Sequence, residues 1–105
     1  MSKTYWVYIL RCSDGSFYTG STSDIEKRLS EHQNGLIKCY TRSRRPVKLV
    51  FSDYFERAYD AISAERQIKG WRRAKKKALI KGDFDLLVKL SNMKNAKKKE
   101  KENDL

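Results

Sequence analysis

Apolar positions change period several times along this chain, and each change marks an element. Tyr5 to Cys12 (Tyr-Trp-Val-Tyr-Ile-Leu-Arg-Cys) is rich in aromatic and β-branched residues, which suits a buried strand. Asp14-Gly15 predicts a turn, since both residue types tolerate positive φ, and Phe17 to Ser21 reads as the returning strand of a hairpin. Ser23 followed by Glu26 has the form of a capping box, so a helix should start near Asp24, with Gly35 as its stop. Leu36 to Pro46 shows no clear period. Val47 to Phe55 alternates, with Val47, Leu49, Phe51, Asp53 and Phe55 on one side, and predicts a third strand.

Helical spacing then returns. A helix is expected from about Arg57 to Lys69, broken by Gly70, then a short helix from Arg72 to Ile80. An amphipathic stretch follows from Asp83 to Leu90, with Phe84, Leu87 and Val88 on one stripe. From Met93 onward almost nothing is apolar, so burial cannot offset the entropy of ordering the chain and disorder is expected. The expectation is one folded domain over 1–92 and a charged tail over 93–105. Its fold class is α/β (α+β), a small unit built on a three-stranded sheet.

Composition adds a partner class. Among 105 residues, 24 Lys and Arg face 13 Asp and Glu, a formal net charge of +11. Such an excess favours a polyanion, because each neutralised phosphate releases counterions. Solubility alone is the blander explanation. Cys12 and Cys39 are too few for a disulfide framework and match no zinc spacing, which points to a reducing compartment. The apolar run from Tyr5 to Leu10 is too short for a signal peptide, and nothing approaches the roughly 20 apolar residues of a membrane span. A cytoplasmic protein with no membrane partner is expected.

Candidate chemistry shows where polar residues occupy apolar positions. On the second helix, Ala58, Ala61, Ile62 and Glu65 share a face flanked by Ile68, so Glu65 sits in the stripe that should meet the sheet. A carboxylate there needs a metal, a cation or a proton; a salt bridge or a wet helix edge would serve as well. On the first helix Arg28 and His32 lie one turn apart at the border of the Ile25–Leu29 stripe. An Arg at such a border ordinarily snorkels to solvent, and His32 fits a packing role equally well. Tyr8 and Tyr18, taken singly, are ordinary strand residues. No P-loop, dinucleotide fingerprint, zinc-protease helix or serine-hydrolase elbow is present.

The order of these residues carries more than any one of them. Val7-Tyr8-Ile9, then Tyr18-Thr19-Gly20, then Arg28 and His32, then Glu65 within Ala61 to Lys69 resemble the GIY-YIG nuclease family. Tyr40-Thr41-Arg42 and Ile68-Lys69-Gly70-Trp71 make the chain most similar to the short stand-alone bacterial members of that family. The likeness runs from about Tyr5 to Ile80. Trp6 stands where the first motif has Gly, and Thr19 where the second has Ile. The Asn that many members carry after the glutamate has no near counterpart; Asn92 is distant and unassigned.

That resemblance implies the GIY-YIG fold, a small three-stranded antiparallel sheet flanked by helices, and a metal-dependent DNA endonuclease. Glu65 would hold one Mg²⁺ (or Mn²⁺), whose remaining ligands are waters and phosphate. Arg28 would stabilise non-bridging oxygens, and Tyr18 or Tyr8 would activate the attacking water, with His32 or Lys69 assisting. Lys38, Thr41, Arg42, Arg44 and Arg45, with Arg72, Arg73, Lys75, Lys76 and Lys77, would contact phosphates of DNA, or of RNA. The hairpin supplies a geometric test: a two-residue turn separates Tyr8 and Tyr18 onto opposite faces, whereas a three-residue connection with Gly15 in a bulge puts them on one. The alternative function is a non-catalytic nucleic-acid-binding module, which needs no buried carboxylate.

Overall fold

A computed structural model describes residues 3–91; the tail expected over 93–105, and Asn92, lie outside the described residues. The described residues fall into two compact units that divide after Gly70. The first contains β1 (Tyr5–Arg11), β2 (Phe17–Thr22), α1 (Ile25–Gln33), a single 3₁₀ turn at Arg42–Arg44, β3 (Lys48–Phe55) and α2 (Ala58–Lys69). The sheet is antiparallel throughout, in the order β2-β1-β3. The central strand is covered on both sides: Val7, Tyr8, Ile9 and Leu10 are at most 2% exposed. Burying side chains of this size stabilises by roughly 1.5–3 kcal/mol each, so β1 anchors the unit.

The hairpin is the wider of the two considered. Cys12 N–H donates to Ser16 O at 2.8 Å, which leaves Ser13, Asp14 and Gly15 as the connection. Gly15 takes φ +84°, where a side chain would be strained. The register places Leu10 opposite Tyr18 and Tyr8 opposite Gly20, so both tyrosines face the same way. That face also carries Cys12, Val47 and Leu49 and packs on Ile25 and Leu29 of α1. By alternation Val7, Ile9, Thr19 and Ser21 point to the other face, and α2 contacts all three strands there through the buried Ala61 and Ile68.

Local details depart from the expected pattern. The N-cap of α1 is Asp24, whose carboxylate accepts from Lys27 N–H at 3.1 Å. Ser23 stays outside the helix, and the negative charge of Asp24 suits its positive end. β3 does not alternate along its whole length: Leu49 opposes Leu10 while Phe51 opposes Ile9, so Val50 is the extra residue of a bulge. Leu49 and Phe51 therefore serve opposite faces. Ile62, expected on the inner stripe of α2, is exposed; the inner line runs Ala61, Ala64, Glu65, Ile68.

In the second unit α3 spans Arg73–Lys81 and residues 84–91 are helical. Ala78 is buried, Lys75 Nζ lies 4.2 Å over the Trp71 ring, and Phe84 and Val88 of the expected apolar stripe are exposed. Among the described residues no helix is long and apolar enough to cross a membrane.

Candidate active site

On the face shared by β1, β2 and α1, four of the residues singled out in the sequence come together. Tyr8 is a central-strand residue whose ring leans over Gly20 of β2; a Cβ on Gly20 would lie 2.6 Å from its Cζ. Its hydroxyl is 2.9 Å from His32 Nε2, and the His32 ring stands edge-on to both Tyr8 and Tyr18, with centroids 5.8 and 5.2 Å away. His32 is 1% exposed, the only buried residue of α1. Its Nδ1 is 2.8 Å from Thr41 Oγ1, and Cys39 Sγ is 3.3 Å from the same oxygen. Arg28, one turn before His32, pairs with Glu31 at 3.4 Å, and its positive charge acts on Tyr8.

Burial dominates the ionisation of this group. It pushes the Tyr8 phenol far up, aided by Tyr18 and opposed by Arg28. It pushes Tyr18 up as well, aided by Cys39 and Glu65 and opposed by Lys69. It lowers His32, and the Arg28 charge lowers it further. At neutral pH the cluster consists of two phenols, a neutral imidazole and a guanidinium.

Glu65 approaches from the other side of β2. One carboxylate oxygen accepts from the Ser21 hydroxyl, and the other lies 2.6 Å from Lys69 Nζ. Burial alone would raise the Glu65 carboxyl, but hydrogen bonds from Lys69 and Ser21, with the charges of Lys69 and Arg66, hold it below the usual range. Lys69 is raised in turn, chiefly by its hydrogen bond to Glu65. The charges of Glu65 and Lys69 both act on Tyr18 of the edge strand β2.

The donor set at Glu65 is a single oriented carboxylate beside the Ser21 hydroxyl. Among the described residues no three or more His, Cys, Asp or Glu could encircle an ion. Such a site does not suit zinc, which takes three or four protein ligands. It fits Mg²⁺ or Mn²⁺, which keep waters and can be held by one carboxylate, provided that half-exposed Lys69 yields its oxygen.

The basic residues divide. Lys38, Arg42 and Arg45 are exposed and line an open depression with Cys39 and Ser43, though Arg45 already donates to Arg42 O at 3.0 Å and to Gln33 O at 3.4 Å. Arg44 is tied down: its Nε pairs with Asp14 at 3.0 Å, an Nη bonds Tyr40 O at 2.8 Å, and its guanidinium covers the Tyr40 ring. Thr41 corrects the sequence-based expectation of a phosphate contact, since it is 1% exposed and its hydroxyl is committed to His32. Arg72, Arg73, Lys75, Lys76 and Lys77 belong to the second unit. Sequence reasoning missed Ser21, whose signal was a second hydroxyl residue on the Thr19 side of a half-buried strand, and Cys39, which had none.

A family model described as the GIY-YIG catalytic domain matches residues 4–78. A UPF0213 protein of Staphylococcus saprophyticus is 48% identical over 80 residues, which cover 76% of this chain and 96% of that protein. One of Haloquadratum walsbyi is 43% identical over 86 residues, covering 82% and 97%. Two solution NMR structures share the fold. The UPF0213 protein BH0048 of Bacillus halodurans has 40% identity and a TM-score of 0.50, covering 74% of this chain and 83% of that one. The protein EF2693 of E. faecalis has 38% identity and a TM-score of 0.55, covering 80% and 88%.

Proposed function

The chain belongs to the GIY-YIG family, and from that premise we propose that it is a metal-dependent endonuclease that hydrolyses DNA phosphodiester bonds, acting in repair or on branched or single-stranded DNA. The observation that carries this reading is the half-buried, anionic Glu65, held by Ser21 and Lys69, whose charge reaches Tyr18. An anion so placed suits a hydrated cation; a binding surface alone has no use for it.

Glu65 would hold the ion through the oxygen that Lys69 now takes, while Ser21 fixes the other. Bound there, Mg²⁺ or Mn²⁺ supplies positive charge to the leaving oxygen. Tyr18 is the phenol nearest to Glu65 and Lys69 in charge coupling and is less buried than Tyr8, so it is the base that removes the proton of the attacking water. Lys69 favours the phenolate that this step requires, against the burial that opposes it. His32 does not serve Tyr18 directly; its hydrogen bond goes to Tyr8, on which the charge of Arg28 acts. Arg28 then presents its guanidinium to the non-bridging oxygens, where its planar fork matches phosphate. Lys38, Arg42 and Arg45 add phosphate contacts that carry no base information, as do the basic residues of α3. Cys12 and Cys39 stay unpaired, consistent with a reducing cytoplasm.

One observation favours the second reading, a non-catalytic module that holds DNA or RNA: both Glu65 oxygens already have protein partners. Incubation with single-stranded, duplex and branched DNA, with and without Mg²⁺, separates the two. The nuclease reading expects Mg²⁺-dependent cutting that Glu65→Ala and Tyr18→Phe abolish. Binding without cutting by the parent chain supports the module, and cutting that survives both substitutions removes the proposed site.

A further inference from the structure

The polarity of the buried hydrogen-bond chain follows from counting donors and acceptors. The Tyr8 hydroxyl is buried and must place its proton on an acceptor, and His32 Nε2, 2.9 Å away, is its hydrogen-bond partner. Nε2 is therefore bare, and the neutral ring carries its proton on Nδ1. Nδ1–H points at Thr41 Oγ1, 2.8 Å away, and the Thr41 hydroxyl has Cys39 Sγ at 3.3 Å for its own proton. The opposite tautomer would turn Nε2–H toward the Tyr8 oxygen and take this acceptor from the buried phenol proton, since Tyr8, His32 and Thr41 are all at most 2% exposed. Direction thus runs from Tyr8 through His32 to Thr41 and Cys39.

We propose that Thr41 is a positioning residue: by accepting from His32 Nδ1 it fixes the tautomer that receives the Tyr8 hydroxyl, and so holds the Tyr8 oxygen in place. Its consequence for cleavage rests on the nuclease reading above, whereas the tautomer does not. Sequence offers no hint of this role, because Thr41 lies in an irregular basic segment that reads as a phosphate-binding loop. Thr41 never reaches the substrate; it acts through two other side chains.

The test reads the His32 ring nitrogens by long-range ¹H–¹⁵N correlation in the labelled full chain. His32 is the single histidine, so the signals need no assignment. The parent and Thr41→Ser should show protonated Nδ1 and bare Nε2, while Thr41→Val, which keeps the shape and loses the hydroxyl, should shift the proton toward Nε2. Single-turnover cleavage should fall roughly tenfold or more in Thr41→Val, the cost of one unsatisfied buried group, and recover in Thr41→Ser. A parent ring with its proton on Nε2 overturns the proposal even if Thr41→Val fails to fold. An unchanged tautomer in a folded Thr41→Val overturns it too. A tautomer that follows Thr41 in a chain that cuts no substrate upholds the positioning role and sinks the nuclease reading instead.

Discussion

Glu65 and Tyr18 lie on opposite faces of β2 and still influence each other: the carboxylate is held by Ser21 on the α2 side, yet its charge helps raise the phenol on the α1 side. In the proposed reaction both would act on one phosphate, and the consequences can be measured residue by residue.

Ser21 orients the anion without supplying charge. Ser21→Ala should leave the fold intact and weaken Mn²⁺ binding by about tenfold, the usual effect of removing a partner that orients a metal ligand. Electron paramagnetic resonance of added Mn²⁺ measures it. An unchanged affinity would show that Ser21 does not orient the ligand.

Lys69 takes the Glu65 oxygen that the proposed cation would need, so the two would compete for it. Lys69→Met should therefore tighten Mn²⁺ binding while slowing cleavage by about 10²-fold, because the charge that favours the Tyr18 phenolate is lost. The two readouts moving together, in either direction, would contradict the competition.

Gly20 gives Tyr8 its place. Gly20→Ala puts a methyl group against the Tyr8 ring and hydroxyl, and Tyr8, locked to His32 within the core, has nowhere to retreat. A loss of about 1–3 kcal/mol in chemical denaturation is expected, as for other overpacked sites. Stability within experimental error of the parent would show that the ring can move.

Acid should weaken the fold in two stages. His32 and Glu65 both have folded values below their ordinary ones, so the unfolded chain binds more protons in each range and stability falls with pH. The His32 contribution is complete above the ordinary histidine value near 6.5 and is lost as pH falls through its lower folded value. That of Glu65 is complete above about 4.5 and is lost further down. An NMR titration of the His32 ring should show a midpoint below 6.5; a midpoint at or above it would mean that the ring is not buried neutral.

Much of this arrangement was legible in the chain, for identifiable reasons. The buried strand declared itself through Val7 to Leu10, and Gly15 beside Asp14 allowed the wider connection on which the placement of both tyrosines depends. Glu65 stood out because a carboxylate in an apolar stripe has few explanations. Other features depended on tertiary contacts that no local period encodes. The bulge at Val50 follows from pairing with β1, and Ile62 is exposed because α2 turns Ala61, Ala64, Glu65 and Ile68 inward instead. Thr41 was misplaced because a polar residue among arginines looks solvated until His32 is seen to close over it.

The most direct test of the account is Glu65→Gln, which keeps the shape of the side chain and a carbonyl acceptor for Ser21 and removes only the charge. Single-turnover cleavage of an oligonucleotide that the parent cuts should fall by at least about 10³-fold, the scale expected when charge stabilisation at a reacting phosphate is removed, with the dissociation constant for that oligonucleotide nearly unchanged. Cutting by Glu65→Gln at a rate close to the parent's would contradict the central claim that this anion, whose charge reaches Tyr18, holds the ion that makes the reaction run.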